Sequence, residues 1–143
     1  RLATLGADLL VQTIDGLGRG TVTPRTQKHD QATYAPMLTK SNGRVDWHKP
    51  AVAIDAMIRA TTPWPGAFCL KEGKRYKIHK ARSLPLSEPT APGQVTPGFP
   101  DELRIATVAG ALSILEIQAE SAKRLPIRDF LRGHPIAPGE FFE

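Results

Sequence analysis

Pro63 and Pro65 flank Trp64 in the stretch TTPWPGAF, and together they divide this chain into a part that can be helical and a part that cannot. Each proline lacks a backbone N–H and pushes the residue before it toward extended angles. Thr62 and Trp64 are both turned away from helix in this way. Before the stretch, Ile54, Met57 and Ile58 recur at helical spacing with Ala51 one turn earlier, while Asp55 and Arg59 point outward. Pro50 stands where a first helical turn tolerates proline. The spacing predicts a short amphipathic helix over residues 49–60. The chain is expected to leave it in extended form, with Trp64 as a large anchor that locks the helix onto the rest of the domain.

The residues after Pro65 read as β-structure. GAFCL and RYKIHKA flank KEGK, where Glu72-Gly73 marks a hairpin turn. Strict alternation places Tyr76 and Ile78 on one face and Arg75, Lys77 and His79 on the other. Pro85, Pro89, Pro92, Pro97 and Pro100 then enforce a loop, with a short strand around Gln94 and Val95. A second hairpin turns at Ala109-Gly110, and in its second strand Leu115, Ile117 and Ala119 alternate with Glu116, Gln118 and Glu120. LPIRDFLRG has the marks of a short helix between Pro126 and Gly133, and the tail IAPGEFFE is suited to covering a sheet edge. Short strands with one helix before and one after describe a mainly-β domain, a small partly open barrel of the oligonucleotide-binding kind. A generic twisted sheet with two helices is the rival.

At the other end, Leu2, Leu5, Leu9, Leu10, Ile14 and Leu17 form one helical stripe, stopped by Gly16 and Gly18. The stripe has no evident partner in the polar, basic segment after it. Residues 1–17 are therefore expected to be the last helix of a preceding domain; an ordinary first helix packing on its own domain is the alternative. Residues 18–47 read as a basic linker and residues 48–143 as the barrel-like domain. No apolar run approaches the roughly 20 residues of a membrane span. Cys69 is a lone cysteine, which fits a reducing, cytoplasmic setting.

Charge is unevenly distributed. Residues 1–20 are neutral, residues 21–87 carry +8, and residues 88–143 carry −3. A polycationic middle third points to a polyanionic partner, nucleic acid above all. Lys71, Lys74, Arg75, Lys77, Lys80 and Arg82 fall on the first hairpin, joined by Lys40 and Arg44 from the linker. Such cations suit phosphate contacts, which position a nucleic acid without reading its bases. Only Tyr76 is interleaved with them, and its period points it inward. A folded RNA suits this pattern better than an extended single strand.

Catalytic patterns are not evident. His29, His48, His79 and His134 are scattered without metal-ligand spacing, and no phosphate-cradling glycine loop occurs. Asp46 beside His48 suggests a cap or salt bridge rather than an acid–base pair, and Trp47 between them a core plug. His134, between Gly133 and Pro135, suits a structural or solvent-facing turn.

ATYAPMLTKSNGRVDWHKPA followed by IRATTPWPGAF closely resembles the C-terminal half of the bacterial methionyl-tRNA formyltransferase family. The ending QAESAKRLPIRDFLRGHPIAPGEFF is similar to that family's closing strand, its last helix and its Pro-Gly tail. The resemblance covers essentially the whole chain, residues 1–17 included. Met37 departs from a frequent Lys, and His48 from a Ser whose hydroxyl would cap the first barrel helix.

The resemblance implies a division of labour. Whole enzymes of the family move a formyl group from 10-formyltetrahydrofolate to the methionine of initiator tRNA. Their folate pocket and Asn, His and Asp catalytic set lie in a Rossmann-like N-terminal domain, so no catalytic, cofactor or metal residue is assigned here. The chain alone is expected not to formylate. Its implied role is to hold initiator tRNA through Lys40, Arg44, Lys71, Lys74, Arg75, Lys77, Lys80 and Arg82. It is further expected to meet its own N-terminal domain through the 1–17 helix and to act as a monomer. The alternatives are the equivalent domain of another 10-formyltetrahydrofolate-dependent enzyme, in sugar-nucleotide or folate metabolism, and a non-enzymatic RNA-binding barrel.

Overall fold

A computed structural model describes residues 1–86 and 88–143, which form two units, Arg1–Pro36 and Met37–Glu143. In the first unit, helix α1 spans Leu2–Gly18. Its stripe from Leu2 to Leu17 is exposed, each of these side chains keeping 50–83% of its accessible surface. The chain then turns back, the Thr21 N–H donating to the Gly16 carbonyl at 2.9 Å.

The second unit is mainly β. A 3-10 turn at Lys40–Gly43 leads to helix α2, Ala51–Thr61. Strands β1 (Ala67–Lys71), β2 (Lys74–Leu84), β3 (Val95–Thr96), β4 (Leu103–Ala106), β5 (Ala111–Ala119) and β6 (Leu125–Pro126) come next, and helix α3, Ile127–Gly133, comes last. The sheet runs β1-β2-β5-β4-β3, with β6 beside β5, and every strand pairing is antiparallel. α2 starts at Ala51 with Pro50 as an N-cap that offers no side-chain hydrogen bond; His48 lies two residues before the cap, so position 48 is not where a serine hydroxyl would cap this helix.

The first hairpin is a two-residue turn in which Glu72 (φ 52°) and Gly73 (φ 74°) both adopt the left-handed conformation. That turn matches the twist of the flanking strands and sets Lys71 opposite Lys74. One extra residue on each of β2 and β5 breaks the alternation further along. Ile78 pairs with Ile117, Lys80 with Glu116 and Ala81 with Ile114, so His79 and Leu115 are the unpaired extras. Two facing bulges let the sheet turn while the register recovers. They also correct the expectation for β5: Ile114 and Ile117 are buried, and Leu115 is only half-buried.

The tail does more than cover an edge. Glu143 and Leu70 of β1 exchange two backbone hydrogen bonds, at 2.7 and 2.8 Å. Val95 of β3 donates to the Glu140 carbonyl and accepts from Gly139, while Phe142 donates to the Gly93 carbonyl. The two strands at the ends of the sheet are thus tied through one strap, which satisfies backbone groups that an open edge leaves unpaired. The sheet is a half-barrel around Trp47, Ile54, Ile58, Ile78, Ile105, Leu112, Ile117, Phe130 and Phe142.

Trp64 departs from expectation. The Thr62-Pro63 and Trp64-Pro65 peptide bonds are both cis; Thr62 leaves the helix with extended backbone angles, as expected, but the segment then turns, and Trp64 is 57% exposed. The core tryptophan is Trp47, 4% exposed. α2 is held on the sheet by Ile54 and Ile58, not by an anchoring Trp64.

Candidate nucleic-acid interface

The first cations of the site are placed by the turn ahead of α2. Asn42 Oδ1 accepts from the Thr39 N–H at 2.6 Å and from the Thr39 hydroxyl at 2.7 Å, closing the turn that carries Lys40. Gly43 then passes so close to β1 that a Cβ there would collide with the Gly66 carbonyl. Only glycine permits that approach, and it lets Arg44 form a parallel bridge with Phe68 while Val45 donates to the Phe68 carbonyl at 2.8 Å.

Phe68 in turn pairs with Lys77, and Lys77 with Gln118. Arg44, Phe68, Lys77 and Gln118 therefore form one row across the outer face, joining the pre-helix segment to the hairpin. Arg75 belongs to the same face. Its guanidinium carbon lies 3.6 Å from the centre of the Phe68 ring, and its Nε is buried without a hydrogen-bond partner among the described residues. The ring fixes the guanidinium plane, which leaves the remaining donors in a preset direction.

Beyond Lys77 the bulge matters. Strict alternation would put His79 outward and turn Lys80 and Arg82 inward. The extra residue reverses the parity: Lys80 and Arg82 are exposed and Ala81 is half-buried. His79 turns to Gln118, its Nε2 lying 2.9 Å from Gln118 Oε1. The bulge thus keeps Lys80 and Arg82 on the side of Arg75 and Lys77, while Lys74, at the start of β2, alternates onto the face of Tyr76.

Charge compensation sorts the eight predicted residues into two groups. Lys71 is only 13% exposed, and its ammonium lies 2.7 Å from Glu140 and 2.9 Å from Glu72. Hydrogen bonding to Glu140, then to Glu72, holds its pKa above the ordinary lysine value. The same contact, aided by the Ala137 N–H, holds the Glu140 carboxyl below its ordinary value. Arg82 lies 3.6 Å from Glu102, which also binds Arg104. Lys40, Arg44, Lys74, Arg75, Lys77 and Lys80 make no ion pair among the described residues. Phe68 went unremarked in the sequence because its part depends on a cross-strand register. Among the described residues no group of three His, Cys, Asp or Glu side chains could hold a metal ion, and no helix is long and apolar enough to cross a membrane.

Residues 37–135 match the family described as formyl transferase, C-terminal domain. The chain belongs to this family. The match begins with the second unit, so Lys40 and Arg44 fall inside the formyl transferase C-terminal domain together with the β2 cations. The chain is 45% identical over 98% of its length to the methionyl-tRNA formyltransferase of Solibacter usitatus, of which it covers 44%. It is 42% identical to that of Caldanaerobacter subterraneus, over 97% of this chain and 45% of the relative. It therefore spans less than half the length of these relatives. Among solved structures, HypX from Aquifex aeolicus superposes with a TM-score of 0.55 at 22% identity, over 93% of this chain and 24% of HypX. HypX in complex with tetrahydrofolic acid gives 0.54 at 21%, over 95% and 26%. The half-barrel seen here is thus the fold of a formyl transferase C-terminal domain.

Proposed function

We propose that this chain is the C-terminal, tRNA-binding part of a methionyl-tRNA formyltransferase, which formylates methionyl initiator tRNA with 10-formyltetrahydrofolate. The observation that carries the reading is the row Arg44–Phe68–Lys77–Gln118 with Arg75 stacked on it, because its cations are spread over two segments and lack ion-pair partners among the described residues. A phosphate backbone is the extended polyanion such a row fits. The names of the relatives supply the RNA.

The formyl group and the folate belong, in this reading, to the part of the whole protein outside this chain, and no residue here is assigned to either. Helix α1 is proposed to be the last helix of that transferase domain, its exposed apolar stripe facing it. The protein is proposed to act as a cytoplasmic monomer. What this chain contributes is position. Holding the tRNA body fixes where its aminoacyl end arrives, and an error of about an ångström at reacting atoms costs on the order of a hundredfold in rate.

The test is tRNA binding by this chain across a salt series. Each neutralised phosphate steepens the log–log slope by about 0.9, so several free cations predict a slope steeper than about −3. Binding is expected without formylation. A flat slope, or no binding, would overturn the reading and favour a domain that serves a small-molecule formyltransferase.

A further inference from the structure

His134 comes directly after α3 and lies flat on Phe130, with ring centroids 4.5 Å apart and planes 7° from parallel. Phe130 is fully buried, and Tyr76 meets it edge-on at 6.1 Å. The inner side of the stack is thus fixed by the core, while His134 itself is exposed. Beside it opens a groove of about 440 Å³ lined by Lys74, Tyr76, Ala119, Glu120, Ser121 and His134. The Ala119–Glu120–Ser121 wall is shared with a smaller hollow of about 220 Å³, whose other lining residues are Arg75, Lys77 and Gln118. An aromatic face supported from behind therefore shares its groove with Lys74, while Arg75 and Lys77 line the hollow across the shared wall, and none of the three has an ion-pair partner among the described residues.

That combination selects a ligand. A flat ring supported on a buried phenyl favours another flat, neutral ring, and the cations favour an anionic chain attached to it. An unpaired nucleotide has both parts. Glu120 disfavours a compact dianion in the same groove, but its carboxylate can accept from the exocyclic amino group of a base. A base inside a duplex is stacked on both faces and cannot present one to His134. We infer that His134 and the groove between Lys74 and Ser121 form a subsite for one unpaired nucleotide of the bound RNA, with Lys74, Arg75 and Lys77 taking the adjoining phosphates. This rests on the RNA-binding reading above and adds a stacking contact to it.

The experiment compares the affinity of the full chain for a blunt RNA hairpin and for the same hairpin with a short single-stranded 3′ extension, by fluorescence anisotropy. In the wild type the extension should tighten binding by about tenfold, as one base–aromatic stack does. His134→Ala should abolish that gain and leave affinity for the blunt hairpin and its salt slope unchanged. His134→Phe should retain the gain, which separates stacking from any loss of folding. An equal gain in wild type and His134→Ala overturns the subsite while the RNA-binding reading stands. Failure of the wild type to bind either hairpin overturns both.

Discussion

Trp47 and Trp64 differ in almost everything but their side chain. Asp46 Oδ1 accepts from the His48 N–H at 3.0 Å, and the Trp47 carbonyl accepts from Val108 at 3.1 Å, so Trp47 is tied into the loop joining β4 to β5 and points into the core. Trp64 lies in the turn after α2 and faces out. Trp47→Ala should therefore cost about 3–5 kcal/mol of stability, the usual range for emptying a large aromatic site. Trp64→Ala should stay within about 1 kcal/mol. Chemical denaturation of the two variants decides the matter, and equal losses would show that Trp64 anchors the fold after all. Cys69 is a second residue-scale case. Fully buried, with its thiol donating to the Tyr76 carbonyl at 3.8 Å, it has its pKa pushed up to about 12 by burial. Only the thiolate reacts quickly. Alkylation at neutral pH should be negligible in the folded protein and rapid in denaturant, measured by mass.

At the scale of elements, the hairpin and the strap divide the basic residues between binding and stability. Lys77→Glu and Lys80→Glu should each weaken tRNA binding and reduce the salt slope by about one phosphate contact. Lys71→Gln should leave the slope unchanged and loosen the strap. Its partner Glu140 gives the pH dependence. A carboxyl whose pKa is lowered on folding stabilises the protein fully above its unfolded value of about 4.5 and loses that contribution as pH falls through the folded value. Lys71 has a raised pKa, so its contribution is complete below about 10.5 and is lost as pH rises through the folded value. The pair thus adds a plateau between the two. Glu140→Gln should lower the melting temperature across it, by the equivalent of about 1 kcal/mol or less because Glu140 is one-third exposed. A thermal melt series with the same acid-side slope in variant and wild type would refute the pairing.

For the whole molecule, the half-barrel depends on the strap that ties β1 to β3. Truncation before Gly139 removes the buried Phe142 and leaves the groups of Leu70 and Val95 without their partners. It should cost at least about 3 kcal/mol, the lower end for deleting a buried phenylalanine, in calorimetry or denaturant unfolding. The helix before the prolines, the Glu72-Gly73 turn, the second hairpin and the helix after Pro126 were legible because each depends on local backbone chemistry. The mainly-β class and the charge of the middle third were legible from alternation and composition. Local pattern also misled: strict alternation placed Leu115 with the core and could not carry Lys80 and Arg82 to the face of Arg75 and Lys77, since a bulge is decided by how two strands meet across the sheet. Lys71 reads as one more free cation because Glu140 lies far along the chain. Sequence by itself determined which backbone angles were allowed, where helices had to stop, and that the hairpin would be basic. Tertiary structure alone decided which of those cations stay unpaired, which tryptophan is buried, and that His134 rests on Phe130, because each of these depends on residues brought together only when the sheet curls and its tail ties both edges.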